Sequence, residues 1–141
     1  MSVKDSIYHI NDNWTDIYHL LHYVHEENLS HQAVRLMQNI DKRQETTVGD
    51  LATYLGVTPN TASEHVKRLI NKGFVSKVRS TEDERKVYVV LTKVGSEMLR
   101  RHTMLDEQKL GKVLENLTAS DIEMINKAFS LLSKEAKKCF F

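Results

Sequence analysis

The chain has one cysteine and one proline in 141 residues, only five glycines, almost no net charge, and no long apolar run. A single cysteine, Cys139, excludes a disulfide within the chain, and a reducing, cytoplasmic setting is the expectation. No apolar stretch approaches the roughly 20 residues of a membrane span. The opening MSVKDSIYHINDNW has neither a basic n-region nor an apolar h-region, so no secretory signal is expected in it. A net charge of +1 does not announce a nucleic-acid partner. Also missing are a Gly-rich phosphate loop, a Gly-x-Ser-x-Gly elbow and a converging acid pair. No enzyme and no cofactor are therefore expected.

The distribution of charge says more than its total. Residues 1–45 carry 4 Lys/Arg against 7 Asp/Glu, residues 46–93 carry 8 against 5, and residues 94–141 carry 8 against 7. The middle third is the basic one. The length suits one domain, or one domain with an oligomerisation element, and permits a real core.

In the first segment Ile7, Ile10, Trp14, Ile17, Leu21 and Val24 alternate by three and four, a heptad-like stripe on a helix of roughly five turns. A second helix is expected from about Ser30 to Asp41, with Ala33, Leu36, Met37 and Ile40 on its apolar face. In TTVGDLATYLG, Thr47 and Asp50 form a capping box, and Gly56 stands where a left-handed residue ends the helix. The next helix begins at Pro59, capped by Thr58. Two short helices joined by a few residues including glycine have the sequence shape of a helix-turn-helix. After Gly73 the periodicity changes to two. FVSKVRS and KVYVVLT read as strands around the charged turn TEDER, a hairpin in the position of a wing. Thr92 begins a further helix carrying Met98, Leu99, Leu105, Leu110, Val113, Leu114 and Leu117. At LTASD a second capping box, Thr118 with Asp121, starts the last helix, where Ile122, Ile125, Phe129, Leu132 and Ala136 recur at three and four.

The only proline explains its own position. Proline is tolerated at the first helical position, where its missing N–H costs nothing. Thr58-Pro59 thus fixes where the helix starts and aims its first turn. Ala62, Val66, Leu69 and Ile70 share the inward face. Asn60, Glu64, Lys67, Arg68 and Asn71 share the outward one, with Thr61 and Ser63 beside them. These are side chains of major-groove dimensions on a helix with a pinned first turn. In the hairpin, Lys77, Arg79, Arg85 and Lys86 flank the tip, a basic element suited to the minor groove. Glu82, Asp83 and Glu84 oppose that, unless Asp83 pairs with Arg85 and aims it.

The stretch from Thr46 to Leu99 resembles the winged helix-turn-helix of MarR-type transcriptional regulators. Its most specific parts are Asp83-x-Arg85 in the wing and VLTKVG, Val90 to Gly95. The resemblance implies a mainly α fold with a small β-hairpin wing, joined to a helical dimerisation region built from both chain ends. It implies a homodimer on a pseudo-palindromic operator in double-stranded DNA, commonly a repressor, and often release by a small molecule, oxidant or metal. Residues 1–29 are then the N-terminal dimerisation helix, 30–95 the DNA-binding domain, and 96–141 the helices completing the dimerisation region. The stripes support a dimer without the resemblance. Ile7, Ile10 and Trp14, with Leu117, Ile122, Ile125, Phe129 and Leu132, exceed what a winged helix of this size can cover, and a partner chain is the simplest cover.

Four histidines crowd the first helix. Tyr18, His22 and His25 lie on a polar, aromatic stripe that could line a pocket for a small aromatic or anionic effector. His22 with Glu26, and His102 with Asp106, are four apart and could each offer a metal half a site. Packing or solvated histidines are the third possibility. The oxidant-sensing branch of the family keeps its cysteine near the start of the chain. Cys139 is not there, so that role is not expected of it. Two further alternatives stay open: a metal-responsive regulator using the histidine-rich helix, and a winged helix that binds protein and no DNA.

Overall fold

The computed structural model describes residues 1–24 and 29–141. Among these the elements run α1 (Val3–Leu21), α2 (His31–Arg43), α3 (Val48–Leu55), α4 (Pro59–Asn71), β1 (Val75–Arg79), β2 (Val87–Leu91), α5 (Lys93–Thr103), α6 (Glu107–Glu115) and α7 (Ala119–Phe140). The helix starts are written in side-chain oxygens. Ser30, Thr47, Thr58, Thr92, Asp106 and Thr118 each accept a backbone N–H from the turn they cap. Both expected capping boxes, Thr47/Asp50 and Thr118/Asp121, form reciprocally. Gly56 closes α3 in the left-handed region at φ 69°.

By its internal contacts the chain divides into two units, His22–Met104 and Met1–Leu21 with Leu105–Phe141. The divisions fall at 21/22 and 104/105 rather than at 29/30 and 95/96. The reason is α5: its Leu99 is buried in the core of the first unit, so the helix belongs with the winged helix through Thr103.

In the His22–Met104 unit, Leu36, Met37 and Ile40 of α2 meet Leu51 and Leu55 of α3, Val66 and Leu69 of α4, and Phe74, Val75 and Val89 of the strands. Each such side chain contributes about 1.5–3 kcal/mol relative to exposure. The strands pair antiparallel with Lys77 opposite Val89 and Arg79 opposite Val87. A third extended segment escapes the sequence pattern. Thr46 bridges Val89, whose N–H donates to the Thr46 carbonyl at 2.7 Å. Gln44 and Glu45, at φ 52° and 45°, turn the chain into it. No glycine marks the turn, and one bridged residue has no periodicity to read.

Gly95 has a role that VLTKVG hides. Thr92 donates its N–H to the Phe74 carbonyl at 3.0 Å and its hydroxyl to the Gly73 carbonyl at 2.6 Å. This draws the start of α5 so close to the chain before β1 that a Cβ on Gly95 would lie 1.8 Å from the Phe74 oxygen.

The expected continuous helix from Thr92 to Leu117 is two helices. Met104 ends α5, and Asp106 caps α6 by accepting the N–H groups of Gln108 and Lys109. In the second unit, α1, α6 and α7 contain no buried residue at all. Ile7, Ile10, Trp14, Phe129 and Leu132 are exposed, and Leu117, Ile122 and Ile125 are half-buried. Among the described residues, no helix is long and apolar enough to cross a membrane.

Candidate nucleic-acid interface

α4 is built to present its first turn. The Thr58 hydroxyl accepts the N–H of Thr61 at 3.2 Å and donates to the Thr61 hydroxyl at 3.0 Å. That leaves the Thr61 hydroxyl proton for a partner outside the helix. Ala62 and Val66 are fully buried and Leu69 nearly so, which fixes the rotation of the helix about its axis. Thr58, Pro59, Asn60, Thr61, Ser63, Glu64, Lys67 and Arg68 are consequently all exposed, as the wheel requires.

The tip of the wing is tied down rather than loose. The Ser80 hydroxyl accepts the N–H groups of Glu82 and Asp83, and the N–H of Ser80 donates to the Lys86 carbonyl at 2.9 Å. Asp83 accepts both the backbone N–H and the Nε–H of Arg85, at 3.1 and 3.2 Å. Those bonds, backbone first, hold the Asp83 carboxyl below the usual carboxylate range. The pair therefore holds its charge to lower pH than an unpaired carboxylate would. The Arg85 side chain remains 91% exposed, so it is steered without being covered. Arg79 donates to the Glu84 carbonyl. The objection raised by three tip carboxylates is thereby reduced, since Asp83 serves as the brace of Arg85.

Alternation along β1 sends Lys77 and Arg79 to the same face as buried Val75. There they line an open groove with Arg85, Lys86 and the head of α3. Thr47, Val48 and Gly49 of that wall carry no charge and no catalytic group, and so gave no signal in the sequence. Also unsignalled is the stacking of Arg35 on Tyr54, 5.3 Å from ring centroid to guanidinium, which joins α2 to α3.

The effector stripe does not continue as a helix. Tyr18 lies in the last turn of α1, half-buried, and His22 lies beyond the helix end. The Leu21 carbonyl that would extend the helix accepts instead from the Asp106 N–H at 2.8 Å. His25 and Glu26 lie outside the described residues. The His22/Glu26 spacing involves a residue outside the described ones, and His102 and Asp106 stand on either side of a helix break. Asp106 is occupied as a cap. His102 Nε2 accepts the Leu29 N–H at 3.3 Å, and its Nδ1 is 2.9 Å from the Met98 carbonyl, which fits a ring with its proton on Nδ1. Among the described residues, no three His, Cys, Asp or Glu side chains converge as metal ligands. Cys139 is exposed near the end of α7.

Residues 18–102 match the family model of the transcriptional regulator SarA/Rot. The HTH-type transcriptional regulator YfiV of Bacillus subtilis (strain 168) is 25% identical over 107 residues, 76% of this chain and 67% of that protein. A MarR-like transcriptional regulator of Thermotoga maritima, tm0816, superposes with a TM-score of 0.62 at 18% identity, covering 97% of this chain and 98% of that one. Streptococcus pneumoniae FabT, solved in complex with DNA, superposes with a TM-score of 0.56 at 22% identity, covering 97% of this chain and 96% of that one. At these identities the structural likeness is one of fold, the winged helix of MarR-type regulators.

Proposed function

Because the chain belongs to the SarA/Rot family of transcriptional regulators, we propose that it binds double-stranded DNA as a homodimer, with α4 in the major groove and the wing against the adjacent minor groove. The observation that carries this is the outward face of α4: a pinned first turn followed by exposed Asn60, Thr61, Glu64, Lys67 and Arg68. A structural neighbour with this fold is a DNA complex, which supports the same use here. The unburied stripes of α1 and α7 support the dimer. A dimer seated on two half-sites excludes polymerase from the same face of the duplex, so the expected action is repression. Half-sites lie about one helical turn apart, roughly 10 bp centre to centre.

Within the site, Asn60, Thr61 and Lys67 read bases, Glu64 can accept from a cytosine amino group, and Arg85 senses phosphate and groove shape. Selection of bound DNA from a random pool tests DNA binding and yields the operator together. With that operator, Asn60→Ala is expected to cost about 1–3 kcal/mol per lost base contact and to relax preference at one position per half-site. Arg85→Ala is expected to weaken all sequences alike. The opposite pattern, altered preference from Arg85→Ala and none from Asn60→Ala, would overturn the division. Asp83→Asn is expected to act in the same direction as Arg85→Ala but more weakly, since it frees the guanidinium without removing it.

A further inference from the structure

We propose that the cleft between the end of α2 and the open edge of β2 docks an extended, basic segment of a partner protein, which adds to β2 as a strand. The cleft measures about 380 Å³ and belongs to the His22–Met104 unit, lined by α2 and the turn after it, both wing strands and Ser96 of α5. The register of the hairpin exposes the edge. Ser80 and Thr92 donate their N–H groups to the Lys86 and Phe74 carbonyls, so the even-numbered residues of β2 bond to β1 and the odd-numbered ones point their backbone groups away from it. Val89 accordingly gives its N–H to the Thr46 carbonyl. The next outward residue is Leu91, and Gln44 would continue the bridge opposite it. Gln44 turns away instead at φ 52°, its N–H on the Ile40 carbonyl at 3.3 Å and its own carbonyl accepting the Thr46 hydroxyl at 3.2 Å. Leu91 is left at the cleft with an outward N–H and carbonyl that no strand pairs among the described residues.

The side chains around that edge decide what it takes. With Val89 buried inward, alternation turns Ser76, Val78, Tyr88 and Val90 to the other face of the hairpin. A solvated sheet face is normally polar, yet three of these four are apolar or aromatic, and Val78, directly across from Tyr88, is 47% exposed. The rim carries Asp41 and Glu45, both exposed and neither in a hydrogen bond or ion pair among the described residues. No lysine or arginine lines the cleft; Lys42 and Arg43 follow Asp41 in the sequence but lie off its walls. A segment of alternating apolar and basic residues suits all three features. Its backbone pairs Leu91, its apolar side chains cover Val78 and Tyr88, and its Lys or Arg meets the carboxylates. A second copy of this chain is the poorer occupant, since pairing edge to edge would bring the same two carboxylates together. The cleft uses none of the residues assigned to DNA, so its test is independent of that function.

The probes are two acetylated and amidated peptides, Lys-Val-Lys-Val-Lys and Glu-Val-Glu-Val-Glu, titrated into the ¹⁵N-labelled full chain. The lysine peptide should give saturable shifts of the Glu45, Val90 and Leu91 amides, and the glutamate peptide none. Hydrogen exchange separates strand addition from loose electrostatic attraction. The Leu91 amide should exchange more slowly on binding, whereas the Val90 amide, already paired with Ser76, should not change. Asp41→Asn with Glu45→Gln should weaken the lysine peptide by about tenfold. Both substitutions fall at exposed positions, and an unchanged thermal melt shows that the variant is folded. Arginine amide, a cation with no strand to add, is the third probe. If it moves the same amides as tightly as the lysine peptide does, the cleft is a small-cation site and the proposal is overturned. It is equally overturned by the absence of saturable shifts, by equal binding of the glutamate peptide, by binding that leaves Leu91 exchange unchanged, or by a double variant that binds as well as the wild type.

Discussion

Gly95→Ala is expected to lower the melting temperature of the protein by roughly 10–20 °C, the equivalent of about 3 kcal/mol. The added methyl carbon would stand 1.8 Å from the Phe74 carbonyl oxygen, 2.7 Å from its carbon and 3.0 Å from its Cα. All three are backbone atoms, so no side chain can swing away to make room. The segment that must move is also held. Phe74 donates its N–H to the Leu69 carbonyl, and its own carbonyl accepts from Thr92. Relief therefore requires α5 to withdraw from the sheet, taking buried Leu99 with it. A loss of this size is a large fraction of a typical stability. Gly49→Ala, where the Cβ meets only ordinary contact, is the matched control and should be neutral or mildly stabilising. Circular dichroism melts of the two variants check the difference, and equal melting temperatures would refute the close approach.

Phe129→Asp with Leu132→Asp is expected to convert the protein to a species of 16.3 kDa in sedimentation, where the unsubstituted chain is expected at twice that mass. The side chains are 48% and 54% exposed in the single chain, so neither supports the core of its own subunit. Trp14 on α1 is 45% exposed, and α1, α6 and α7 bury nothing fully. Apolar helices of this length are not stable against water without cover. Two buried carboxylates per subunit oppose re-association, because an unpaired charge is costly to desolvate. DNA affinity should fall by about 10²-fold or more, since the second half-site loses the effective concentration that linkage to the first provides. The His22–Met104 unit has its own core and should keep its helical signal. A chain that already sediments as a monomer before substitution would refute the dimer.

Local chemistry decided how much could be read from the residues alone. Thr47 with Asp50, Thr58 with Pro59, and Gly56 each settle a helix boundary through bonds or dihedrals within four residues. The helix-turn-helix and the outward face of α4 follow from them. The change of period after Gly73, and Asp83 two residues from Arg85, are likewise short-range, so the wing and its brace were legible. Where a boundary depends on a distant partner the sequence misleads. Asp106 sits in a run whose apolar spacing continues through it. Only as the cap of α6, with its own N–H on the Leu21 carbonyl, does it break that run, and with the break go the His102/Asp106 spacing and the helical continuation of Tyr18 and His22. The Thr46 bridge and the groove facing Gly49 lie further from the pattern still. They join elements roughly 30–40 residues apart through backbone atoms and an absent side chain, and neither has a residue type to announce it. Sequence alone therefore determined which face of α4 looks outward, because a 3.6-residue repeat and two caps suffice for that. Only the tertiary structure decided what stands beside that face, because proximity between α3, the wing and α5 is set by how their cores pack and not by any local rule.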